Sequence, residues 1–145
     1  MKSEPLRHHP AKAPVVLETR VVAGSGGGPD KTILNSPRFL AESGYRTLCV
    51  YLHPPGDPGF EQLRQKAQRW QAPLVSIPDR SLWDWKVVPL LLNVCRRERV
   101  SIWHGHDYKT NLLGLLLCKD RIVVRFDLTA RVLPVLASAS AALKR

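Results

Sequence analysis

Apolar positions along the chain come in short runs punctuated by turn residues, and the runs alternate between two kinds. Val15 to Ala23 is β-branched and apolar, interrupted only by Glu18 and Arg20, and predicts a first strand. Thr47 to Leu52 is a continuous apolar run of the kind buried on both faces of a sheet. Shorter runs at 73–77 and 100–104 predict a third and a fourth strand. Helical spacing fills the intervals. Asp30 is a cap for a helix to about Glu42, with Ile33, Leu34, Phe39 and Leu40 facing the sheet. Phe60, Leu63, Ala67 and Trp70 mark a second helix, and Val87, Leu91, Val94 and Cys95 mark a third from about Leu82 to Glu98. Tyr108 to Leu117 is a short apolar helix. Two prolines conflict with this pattern, Pro37 and Pro89, because an interior proline removes a backbone donor and kinks a helix.

Strand followed by helix, four times over, predicts an α/β domain of three layers: a parallel, Rossmann-like sheet with helices on both faces. Residues 15–118 carry this pattern. Residues 1–14 are basic, polar and proline-containing, with no apolar stretch of the signal-peptide kind, and are expected to be a disordered leader. Residues 119–145 form an atypical tail with room for one strand and one helix.

The first strand empties into Gly24-Ser25-Gly26-Gly27-Gly28-Pro29-Asp30. A loop of this composition lets backbone N–H groups approach an anion, and the following helix adds its positive end. Neither familiar phosphate motif fits. The P-loop pattern ending on Lys31 and Thr32 needs glycines where Ser25 and Asp30 stand, and the dinucleotide pattern begun at Gly24 ends on Pro29. A flexible surface turn is the plainer alternative.

Charge and cysteine content narrow the classes. The 145 residues carry a formal charge of +10, which favours an anionic partner, but the basic residues are scattered rather than gathered in a stripe. Nucleic acid is therefore not the expected partner. Cys49, Cys95 and Cys118 sit in apolar segments without metal spacing, which fits a reducing cytoplasmic setting better than a disulfide framework. No apolar run approaches the roughly 18 residues of a membrane span.

The fourth strand ends in His104-Gly105-His106-Asp107-Tyr108-Lys109. In an open parallel sheet, ligands bind outside the carboxyl ends of the strands. That rule brings this loop and the glycine loop to one edge, where they are expected to face a shared concavity. Alternation places His104 and His106 on one side. An H-x-H pair can supply two metal ligands, but no clear third ligand stands nearby and the further Asp-His pair of the familiar hydrolase motif is missing. The sequence therefore assigns no metal. Substrate contact or proton transfer suits the imidazoles, with His106 as the candidate catalytic group. The plainer alternative makes one histidine a satisfied loop residue and Asp107 a helix cap.

Three segments together resemble the N-terminal half of a family 4 glycosyltransferase: the glycine run, Arg38-Phe39-Leu40-Ala41-Glu42-Ser43-Gly44-Tyr45-Arg46-Thr47, and Ile102-Trp103-His104-Gly105-His106-Asp107 before an apolar helix. The resemblance covers about Val15 to Cys118. It implies a retaining enzyme of GT-B architecture, in which an N-terminal Rossmann-like domain holds the acceptor and a C-terminal one the nucleotide sugar. On this footing Gly26, Gly27 and Gly28 approach donor phosphates and acceptor, and His104 and His106 line the acceptor side. Asp107 and Lys109 join them as candidate contacts for acceptor or phosphate.

The family's next strand ends in a histidine-glycine pair that contributes to catalysis; this chain has no histidine after His106. The donor domain lies outside the 145 residues, so the expectation is a truncated, frame-altered or split enzyme, inactive alone and binding no cofactor itself. The nucleotide sugar would be the donor substrate of the whole, and the partners implied are a sugar or lipid-linked acceptor and a separate donor domain. Peripheral contact with the inner face of the membrane is compatible with such an acceptor. A stand-alone Rossmann-like module holding an anionic ligand or nucleic acid is the alternative. A small hydrolase working through His106 and Asp107 lacks a nucleophile beside them.

Overall fold

From Val15 to Leu128, strand and helix alternate strictly in the computed structural model, which describes residues 13–119 and 125–128. In chain order the elements are β1 (Val15–Val21), α1 (Gly28–Glu42), β2 (Arg46–His53), α2 (Pro58–Arg69), β3 (Leu74–Pro78), α3 (Val87–Glu98), β4 (Val100–Gly105), α4 (Tyr108–Lys119) and β5 (Arg125–Leu128). The strands form one sheet in the order β3-β2-β1-β4-β5, and every pairing is parallel. Residues 1–12 of the expected leader (1–14) and most of the tail (119–145) lie outside the described residues.

Two cores sandwich the sheet. On one face Leu48, Val50 and Leu52 of β2 pack with Leu91, Val94 and Cys95 of α3, with Trp103 of β4 and with Leu113 and Leu117 of α4. On the other, Cys49 and Tyr51 of β2 meet Ile33 and Leu34 of α1 and Phe60, Leu63 and Ala67 of α2. Successive residues of β2 thus feed opposite cores, which is why that strand reads as an unbroken apolar run.

Several boundaries depart from the sequence pattern for local reasons. β1 stops at Val21 rather than Ala23, where the Asp107 carboxylate accepts the Val21 N–H at 2.7 Å. The third helix begins at Val87 rather than Leu82, because the Asp84 side chain accepts from the N–H groups of Arg80 and Lys86 and folds that stretch into a turn. Pro89 then falls in the first turn of α3, where a backbone N–H has no helical partner anyway, and the conflict disappears.

Pro37 does sit inside α1, and the helix continues through it. The carbonyl it orphans belongs to Ile33. That oxygen accepts instead from the Ser36 hydroxyl at 2.8 Å and lies 3.3 Å from the Cys49 thiol on β2. Phe39, expected against the sheet, is 62% exposed, and Trp70 is also on the surface.

Candidate functional site

Four carboxylates, Asp30, Asp57, Asp107 and Glu18, tie the glycine and histidine loops to the sheet. Asp30, the third residue of α1, accepts from the Gly27 N–H at 2.5 Å and pairs with the Arg20 guanidinium of β1 at 2.9 Å. Asp57, which caps α2, accepts from the Gly24 N–H at 2.6 Å. Two of the glycine loop's amides therefore face side chains of the protein itself, and the positive end of α1 already has an acidic group. Gly26 needs its missing side chain. Its φ is +79°, and a Cβ there would lie 2.4 Å from Asp30 Oδ2.

Asp107 does the corresponding work for the histidine loop. One oxygen takes the Val21 N–H, and the other takes the Thr110 N–H at 2.9 Å, capping α4. Lys109 turns to Asp79, 2.6 Å away, and to the Ser81 carbonyl. These contacts account for Asp107 and Lys109 as structural groups holding β1, β4 and the loop after β3 together.

The fourth carboxylate is the one sequence reasoning passed over. Glu18 stands on β1 directly beside His104 of β4 in the register of the sheet, and its side chain is buried. Its Oε2 lies 2.8 Å from His104 Nδ1 and 2.5 Å from His106 Nε2. The two imidazole rings are on the same side, with centroids 4.3 Å apart, as strand alternation requires. Backbone bonds fix both histidines: the Thr19 hydroxyl donates to the His104 carbonyl, and the His106 N–H donates to the Thr19 carbonyl. Burial works to raise the Glu18 pKa, but the hydrogen bonds and charges of His104 and His106 outweigh it and bring it from the ordinary 4.5 to about 2. The carboxylate is thus charged at any physiological pH, and it orients both rings.

Glu18 and His104 form one wall of a cavity of about 720 Å³ lying between α1, β1 and β4. Val16, Ile102, Phe39, Leu40 and Tyr45 give it an apolar lining, and Lys31, Thr32, Asn35 and Ser36 of α1 add polar groups. An apolar surface with a few convergent polar side chains is the usual make-up of a small-molecule site. The three glycines 26–28 share the sheet edge with the histidines but are not among the residues lining this cavity. A second hollow, of about 400 Å³, is lined by Val21, Asp79, Asp107 and Lys109 with the loop after β3.

The signal for Glu18 was present in the sequence. A carboxylate in the middle of a strand buried on both faces needs a partner, as does Arg20 two residues on. Their partners, His104 and Asp30, could not be paired with them without the sheet order.

No protein-family model and no curated protein matches the chain. Among solved structures, a crystal structure of a glycosyltransferase from Rickettsia africae ESF-5 superposes with a TM-score of 0.57 at 14% sequence identity. The match covers 81% of this chain and 29% of that one, so this chain spans less than a third of that glycosyltransferase. At this identity the likeness is one of fold: the domain is a Rossmann-like α/β unit of the kind found within a glycosyltransferase.

Proposed function

We propose that the chain is the acceptor-side half of a family 4-like glycosyltransferase of GT-B architecture. The observation that carries this reading is the cavity beside the Glu18–His104–His106 cluster, on the α1 face of a parallel sheet. Sugar hydroxyls both donate and accept, and the cavity offers groups of both kinds: the Glu18 carboxylate, the His104 imidazole, the Thr32 and Ser36 hydroxyls and the Asn35 amide. Its apolar lining suits the faces of a sugar ring or the first carbons of a lipid-linked acceptor. His106, held by Glu18, would accept a proton from the acceptor hydroxyl, a general-base role that an imidazole can fill. The nucleotide sugar would be held by a separate donor domain, and the resulting setting is cytoplasmic.

A lipid-linked acceptor calls for contact with a membrane surface. No described helix is long and apolar enough to cross a membrane. Instead Leu82, Trp83 and Trp85 stand exposed beside Leu112 and Leu116 of α4, with the basic side chains of Arg80 and Lys86 at the surface next to them. Exposed tryptophans and leucines flanked by cations suit the interface of an anionic bilayer.

The purified chain, incubated with labelled nucleotide sugars and lipid or saccharide acceptors, is expected to give no transfer by itself. Protein-dependent transfer by the 145-residue chain would overturn the half-enzyme reading. Co-sedimentation with anionic vesicles, lost on W83A/W85A, tests the membrane contact; equal sedimentation of both forms would remove it.

A further inference from the structure

We propose that Glu18, His104 and His106 form a binding site for one divalent transition-metal ion of the zinc class. The three side chains present a carboxylate oxygen and two imidazole nitrogens, and those ligand atoms all lie within 4.8 Å of one another. Two nitrogens and one oxygen make a donor set for Zn²⁺, Co²⁺, Fe²⁺ or Ni²⁺, whereas Mg²⁺ and Ca²⁺ require oxygen-rich shells. Three protein ligands leave at least one coordination position open, as in metal sites that take a water or a substrate hydroxyl.

The placement supports this assignment more strongly than the residue types do. Glu18 and His104 are Cα partners across two central, parallel strands, and His106 lies two residues beyond His104 on the same side. Two of the donors, Glu18 and His104, are therefore fixed by the sheet, and His106, one residue past β4, is tied to it by its N–H bond to the Thr19 carbonyl. The Thr19 hydroxyl bond to the His104 carbonyl and the His106 N–H bond to the Thr19 carbonyl fix the main chain that carries both histidines. Glu18 and His104 also wall the 720 Å³ cavity, so the open coordination position faces space large enough for a ligand.

Without metal, the carboxylate oxygen sits at hydrogen-bond distance from both nitrogens. A metal would take the place of the shared protons, spreading the donors by roughly half an ångström and releasing protons to solution. The site does not depend on sugar transfer. A chain that binds metal here without binding saccharide would leave this inference standing and remove the previous one.

The test uses the full chain, with Co²⁺ as a spectroscopic probe and Zn²⁺ as its competitor. One equivalent of Co²⁺ per chain should develop visible d–d absorption that Zn²⁺ abolishes. His106→Gln and His104→Gln should each weaken binding by at least about 100-fold. His53→Gln and the double variant His8→Gln/His9→Gln, which alter the chain's other three histidines, should leave it unchanged. Glu18→Gln, of nearly identical shape, should weaken binding while keeping the fold. A further measurement needs no variant: Co²⁺ should broaden or shift the amide resonances of residues 17–19 and 103–107 first. Binding that survives the loss of both His104 and His106, binding abolished by the His8/His9 variant, or no binding below about 1 mM would each overturn the proposal.

Discussion

Oε2 of Glu18 lies 2.5 Å from Nε2 of His106, joining residues 88 positions apart in the chain. The contact exists because β1 and β4 are neighbours at the centre of the sheet, and it joins His104 of β4 and His106 just past it to one buried carboxylate. A site made this way is as rigid as the strands that carry it.

The same logic makes Asp30 indispensable to the fold. It holds the Gly27 N–H and the Arg20 guanidinium while almost fully buried. Asp30→Ala should destabilise the protein by about 3 kcal/mol or more, because it strands a largely buried cation and removes a helix cap. Adding Arg20→Leu should restore part of that loss. Urea titrations of the wild type and the two variants check this, and equal stability of the single and double variants would contradict it.

Glycines at this edge are expected to differ sharply in tolerance. A Cβ on Gly59 would lie 2.5 Å from the Gly24 backbone, which no side-chain adjustment can relieve. A Cβ on Gly27 would meet nothing within 4 Å. Gly59→Ala should therefore cost on the order of 1–3 kcal/mol, whereas Gly27→Ala should leave the melting temperature nearly unchanged. Thermal denaturation of the pair separates close packing from mere loop flexibility.

How much of this was legible in the sequence follows from locality. The strands at 47–52 and 100–104 were readable within a residue, because a buried parallel strand is a continuous apolar run whatever surrounds it. The start of α3 was not, since it depends on Asp84 turning back onto Arg80 and Lys86. Pro37 was a true conflict whose resolution needed Cys49 from the next strand. The two histidines were legible from alternation, but Glu18 was not read with them because its partners lie 86 and 88 residues away. The glycine loop was legible as a loop; that Asp30 and Asp57 occupy two of its amides was not.

Acid should weaken one long-range tie. Glu98 at the end of α3 is held below its ordinary pKa of 4.5, chiefly by the hydrogen bond from Arg46 at 2.6 Å, with burial opposing. The unfolded chain therefore binds more protons in that range. The contribution is fully present above the ordinary value and is lost as pH falls through the folded one. Because both groups are partly exposed, it amounts to about 0.5 kcal/mol. Glu98→Gln should lower stability slightly at neutral pH, and the difference from the wild type should shrink as pH falls below the ordinary value; a constant difference across the range would contradict the assignment.

Thiol chemistry offers a check on the core between α1 and β2. Burial, reinforced by the negative charge of Glu18, pushes the Cys49 thiol up to about 12. Mass mapping after iodoacetamide treatment near pH 8 should find Cys49 unmodified in the native protein and modified in urea, since only the thiolate reacts. Comparable labelling in both conditions would show that this side chain is accessible.

The central claim, that the cavity beside Glu18 and the two histidines receives an acceptor sugar, is tested most directly by amide chemical-shift mapping of the full chain against a panel of saccharides. The account predicts that a saccharide shifts the resonances of Glu18, Thr32, Asn35 and residues 102–106, while the Leu82–Trp85 segment stays still. It also predicts that the same shifts disappear in the Glu18→Gln variant. Perturbations confined to other surfaces, or none from any saccharide at about 10 mM, would contradict it.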